Sequence, residues 1–263
     1  MKQMPRSISA LVVRAAWPRP VWRQLVCVGA GLLLASGARA SFHTWKINEI
    51  YSNADGSVQF IELRESLGLN GENLLANHFI QCVSGNLTNS FIFPTNLPSN
   101  TASKTFVIGT ANLSSIPGGL TPNYVFTNIG RFLFAGGGAL NYAGFDSVSY
   151  ASLPSDGTAS LVRSGSSMVF SANNSPVNFA GTFNSIVPVR FASVARSGTN
   201  IVLTFPTATG TNGTAGPNYA VQTNGVLGSP NWASFSNVVG NGTVKAVAIP
   251  IKAPQQFFRL RVP

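Results

Sequence analysis

Carboxylates are scarce in this chain: seven Asp and Glu stand among 263 residues, against 17 Lys and Arg. Histidine and cysteine occur twice each. Triad chemistry has almost no material to work with, and no G-x-S-x-G nucleophile elbow is present; Gly165-Ser166-Ser167 is not one. His43 and His78 lie 35 residues apart, and adding Cys82 still falls short of a metal-ligand set. Helix-forming residues are thin too. Four Glu and five Lys are set against 18 Phe and abundant Val, Thr, Ser and Asn, a balance that favours strands and turns. No window sustains a 3.6-residue apolar period.

The N-terminus has a different character. Lys2, Arg6, Arg14, Arg19 and Arg23 form a basic region without an acid, and an apolar run of 13 residues follows at 25–37. As a helix that run rises about 20 Å, short of the roughly 30 Å hydrocarbon core. Ala38-Arg39-Ala40 then fits a small-x-small cleavage site, which predicts a signal peptide over 1–40 cut between Ala40 and Ser41. Export by the general secretory route follows, to the periplasm, the cell surface or the medium, with no membrane span after cleavage. Gln24-Leu25-Val26-Cys27 is a poor lipoprotein box. With the signal removed, 11 basic residues face seven acids, so the high pI is partly a targeting feature and no argument for nucleic-acid binding. Cys82 is then the single thiol, expected as a small buried hydrophobe without a disulfide.

Charge divides the remainder. Residues 41–186 hold all seven acids and five bases, whereas residues 187–263 hold six bases and no acid. A polar stretch over 171–185 lies at this shift and places a domain boundary near residue 186. Short apolar runs separated by turn clusters predict strands at 44–52, 57–64, 78–83, 90–93, 105–109, 124–127, 131–135, 145–150 and 159–163. The second segment repeats the pattern at 191–195, 200–205, 219–223, 232–236, 243–249 and 257–261. The expected fold is all-β, with two immunoglobulin- or fibronectin-like β-sandwiches over 41–186 and 187–263. Trp232 is expected in the second core, and Gly136-Gly137-Gly138 as a plain loop.

The stretch from Ile47 through Asn53-Ala-Asp-Gly56 to Phe60-Ile-Glu-Leu63 resembles the opening hairpin of a lamin-tail-like domain. Asp146-Ser-Val-Ser-Tyr150 and Ser155-Asp-Gly-Thr-Ala-Ser-Leu-Val-Arg163 resemble its closing strands. The resemblance implies an interaction module of exported bacterial proteins, with no catalytic set of its own. Tyr219-Ala-Val-Gln-Thr-Asn224, Asn231-Trp232 and Phe257-Phe-Arg-Leu-Arg261 are similar to a module that closes large exported proteins of environmental bacteria. That likeness implies a β-sandwich terminus serving secretion or surface retention.

The first hairpin carries the candidate chemistry. A symmetric turn over residues 53–56 sets Glu49 opposite Phe60 and Glu62 opposite Ile47. The two glutamates then share a face with Ile47, Tyr51, Val58 and Phe60 as diagonal neighbours, roughly 7–8 Å between backbones. Carboxylates that close could hold a hard cation such as Ca²⁺, with Asp55 as a further candidate, or raise one pKa for acid–base work. The plain alternative is that they face water, or accept bonds from nearby backbone, Lys46 or Arg64. Asp55-Gly56 and Asp156-Gly157 read as ordinary turns, and the Asn-x-Ser/Thr sites at Asn86, Asn112, Asn173, Asn212 and Asn241 as Asn-rich turns. No catalytic residue, resident cofactor or metal is assigned. The expected role is non-enzymatic contact with an extracellular protein or polysaccharide; a carbohydrate- or Ca²⁺-dependent binding module is the alternative.

Overall fold

The computed structural model describes residues 41–126 and 131–263. The proposed signal peptide and its cleavage site lie outside the described residues. The rest is built of strands, with two short 3₁₀ turns at Ala111–Ser115 and Thr211–Gly213.

In the first module, β1 (Trp45–Ser52), β2 (Gln59–Glu65), β5 (Thr105–Gly109), β6 (Tyr124–Val125), β9 (Ser160–Ser164) and β10 (Ser167–Ser171) form one sheet, ordered β10-β9-β1-β2-β5-β6. Its neighbours are antiparallel except β5 and β6. A second sheet, ordered β4-β3-β7-β8, comprises β3 (Phe79–Ser84), β4 (Leu87–Ile92), β7 (Gly138–Tyr142) and β8 (Asp146–Tyr150). The sheets close on one apolar interior that draws Trp45, Ile50 and Phe106 from the first and Ile80, Leu140 and Tyr142 from the second. Much of the chain's phenylalanine is spent here, in edge-to-face contacts such as Trp45 with Phe106 and Phe91 with Phe93.

The first sheet has a second apolar face, where Tyr51, Val58, Phe60, Val107, Leu113, Leu120 and Ile186 gather. Among the described residues no strand covers it. An irregular strap, residues 172–187, lies there instead, and buried asparagines replace the missing ladder. Asn174 Nδ2 donates to the Thr158 and Ile186 carbonyls while its Oδ1 accepts from Ile186 N–H. Asn178 bonds Thr121 O and Thr182 N–H in the same way.

The C-terminal module has two three-stranded sheets. β11 (Ser193–Ser197), β12 (Asn200–Pro206) and β15 (Val244–Pro250) form one. β13 (Asn218–Asn224), β14 (Ala233–Val239) and β16 (Phe257–Arg261) form the other, ordered β14-β13-β16. Leu203, Phe205, Tyr219, Val221, Val247 and Ile249 fill its interior, a cluster with no residue from the first module. Ile186, at the expected boundary, packs with the first module. The described residues, 41–126 and 131–263, form one compact unit.

Two of the expected strands, 105–109 and 257–261, coincide with β5 and β16, and most others end within three residues of expectation. Residues 131–135 are not a strand. The buried Gln59 side chain takes the ladder's place: its Oε1 accepts from Phe132 and Leu133 N–H and its Nε2 donates to Leu133 O. Strands β7 and β10 were not expected; β7 begins at Gly138, so the glycine run is only partly a loop. A three-glycine lead hides the strand that β3 and β8 impose from both sides. Trp232 is half-buried under Arg259, 4.5 Å from its ring, rather than in the core; among the described residues Trp45 is the buried tryptophan.

Candidate functional site

The first hairpin differs from its expected register. Ser52 pairs with Gln59, so six residues, not four, make the connection. Asn53 Oδ1 accepts from Val58 N–H, and Asp55 Oδ1 from Ser57, which closes the wider loop. Ile50 then pairs with Ile61, and Glu49 stands directly opposite Glu62 rather than on a diagonal. A β-bulge follows at Asn48, where the register slips by one. The bulge turns Ile47 into the main interior with Ile50, away from the glutamate face. It also aims Asn48 at that face, where its Nδ2 donates to Glu62 Oε1 at 2.7 Å.

Breaking the ladder at the bulge leaves the Ile47 backbone to be satisfied by side chains. Its N–H donates to Asp146 Oδ2 at 2.8 Å and its carbonyl accepts from Arg163 Nε at 2.6 Å. Arg163 in turn pairs with Asp146, and Lys46 Nζ lies 3.4 Å from the other Asp146 oxygen. An ion pair therefore does the work of two ladder bonds between β1 and β9.

Both glutamates are buried, at 1% and 2% exposure. Three further bonds to them come from the strap. Glu49 Oε1 accepts from Ser175 N–H at 2.9 Å and Oε2 from Ser175 Oγ at 3.2 Å. Glu62 Oε2 accepts from Val177 N–H at 2.6 Å. Burial pushes both carboxyls upward, Glu62 to about 7, against the pull of these bonds; the Glu49 charge adds to the rise at Glu62 and Arg64 opposes it. Burial thus favours the protonated form of both carboxyls.

Asp55 does not join them. It sits exposed at the loop tip, in a surface cleft it shares with Asp156 and Arg190. Bonds from the Ser57 hydroxyl and amide hold its carboxyl below the ordinary value. Asp156 Oδ1 accepts from Thr158 and Ala159 N–H. Glu65 accepts four backbone amides, from Leu67, Gly68, Leu69 and Ser103. Glu72 accepts from Thr44 N–H, with exposed His43 beside it at 3.4 Å. Every one of the seven carboxylates is bonded within the chain, mostly to backbone. Among the described residues, no three His, Cys, Asp or Glu side chains gather as a metal ion would require. Cys82 is buried, with its thiol 3.4 Å from Tyr150 Oη and its pKa pushed up by burial.

The Asn48 bulge, the Ser175–Val177 contacts and the Asp146–Arg163 bridge escape sequence reading. Two consecutive polar residues, Asn48 and Glu49, between Ile47 and Ile50 are the bulge's faint signal, and the strap contacts join residues more than 100 positions apart. No protein-family model matches the chain, and no match was found among curated proteins or solved structures.

Proposed function

We infer that the chain is an exported, non-enzymatic β-sandwich protein that works by surface contact outside the cytoplasm. In this reading residues 41–186 are a lamin-tail-like module, and residues 187–263 a terminal module that retains or routes the protein. The observation that carries it is the occupancy of the carboxylates. Glu49 and Glu62 are the pair best suited to acid–base or cation chemistry, yet backbone and side-chain donors meet all four of their oxygens. A base or a cation ligand must offer a lone pair, and an acid a proton, to something outside the protein; both carboxyls are buried, with three of their oxygens bonded to the strap and one to Asn48. Among the described residues no helix is long and apolar enough to cross a membrane. A screen of glycan and ester substrates is expected to stay at background. Turnover that disappears in Glu62→Gln would overturn the reading.

A further inference from the structure

The strand registers give the C-terminal sandwich two unlike ends. The entering chain and the 207–217 connection lie at the proximal end, tied to the strap by Phe183 N–H to Asn212 Oδ1 and by Asn184 Nδ2 to Thr209 O. From there β13 runs out to Asn224, which pairs with Phe257, the first residue of β16. Likewise Asn200 pairs with Pro250, and Ile251 N–H donates to Thr199 O. The 197–199 turn, the 225–232 loop and the 251–256 loop therefore share the distal end.

That end is apolar at its tip. Val226 is 64% and Leu227 69% exposed, and Ile251, which follows β15 in the other sheet, is exposed at the same end. The loop is braced rather than slack. Asn224 Oδ1 accepts from Val226 N–H, and Asn224 Nδ2 donates to the Ser229 and Asn231 carbonyls. Cations flank the tip: Arg196, bonded to Gly198 O, Lys252, and Arg259 lying over Trp232. Residues 187–263 contain no acid, and no salt bridge among the described residues involves their six cations.

We propose that this distal end docks on an anionic lipid surface, Val226 and Leu227 entering the headgroup boundary while Arg196, Lys252 and Arg259 meet the lipid phosphates. Adjacent aliphatic side chains held outward, with cations and a tryptophan at their margin, match the interface of a bilayer. A soluble polyanion would satisfy the cations and leave both aliphatics in water. A second copy meeting end to end would set like charges against each other. The proposal does not depend on the role of Glu49 and Glu62.

The test is amide hydrogen exchange on the full chain with three additions: phosphatidylglycerol–phosphatidylethanolamine vesicles, phosphatidylcholine vesicles, and soluble dextran sulfate. Exchange at 225–232 and 251–257 reads this end alone, whatever residues 1–40 do. Anionic vesicles are expected to slow exchange there about tenfold, with little effect from phosphatidylcholine or dextran sulfate. Val226→Ser/Leu227→Ser and Arg196→Gln/Lys252→Gln, both confined to exposed side chains, are each expected to remove the slowing. No slowing with anionic vesicles, equal slowing with either comparison, or slowing that survives both variants would overturn the proposal.

Discussion

Glu49 and Glu62 face each other across β1 and β2, and each takes a backbone amide from the strap, Ser175 for one and Val177 for the other. Two like charges placed directly opposite would repel. Burial favours the uncharged form of both carboxyls and so removes much of that repulsion, and the strap amides bond their oxygens. A sheet face that would otherwise need another strand is thereby covered by irregular chain.

The arrangement makes stability depend on pH in a stated direction. Glu62 titrates at about 7 in the folded protein against an ordinary 4.5. Below the lower value both folded and unfolded chains are protonated, and this group contributes no pH dependence. Between the two, the unfolded chain releases a proton that the folded chain keeps, so stability falls as pH rises, by about 1.4 kcal/mol per unit and about 3 kcal/mol in all. Above 7 the loss levels off. Glu62→Gln keeps an acceptor for Val177 and removes the titration. Its melting temperature is expected to change less than the native protein's between about pH 5 and pH 8, measured by calorimetry.

Asn174 is fully buried and serves Thr158 and Ile186 with three side-chain bonds. Asn174→Ala leaves the Ile186 N–H and carbonyl without partners, while Thr158 O keeps the residue 174 backbone amide, at a cost of about 2–4 kcal/mol in urea unfolding. Faster proteolysis within 172–187 is expected to accompany it.

Gly118 lies under the strap with φ +77°, and a Cβ there would sit 1.7 Å from the Ser185 carbonyl oxygen. Gly85 shares the left-handed backbone, at φ +56°, but faces open space. Gly85→Ala is expected to cost about 1 kcal/mol, the backbone strain alone. Gly118→Ala is expected to cost at least about 3 kcal/mol, because backbone must move as well. Denaturant midpoints of the two variants give the comparison.

How much of this was legible in the sequence follows from the range of each interaction. Apolar alternation and turn residues are local signals, so β5 and β16 stand where expected and the all-β class with them. The lost strand at 131–135 and the unexpected β7 depend on partners far along the chain, Gln59 in one case and β3 with β8 in the other. The hairpin register failed for a closer reason. Asn53 accepting from Val58 widened the loop, and the bulge at Asn48 shifted everything beyond it, two events of one or two residues each. Both glutamates were placed on one face of the hairpin, as diagonal neighbours rather than directly opposite. What occupies them was not legible, since Ser175 and Val177 sit in a segment that reads only as polar linker.

Calorimetric titration of Ca²⁺ into the native protein, beside Glu62→Gln, bears most directly on the claim that the strap already uses the Glu49–Glu62 carboxylates. The account predicts no saturable heat in either protein, because both carboxyls are shut from solvent and each of their oxygens is already bonded within the chain. Saturable heat in the native protein that vanishes in Glu62→Gln would contradict it.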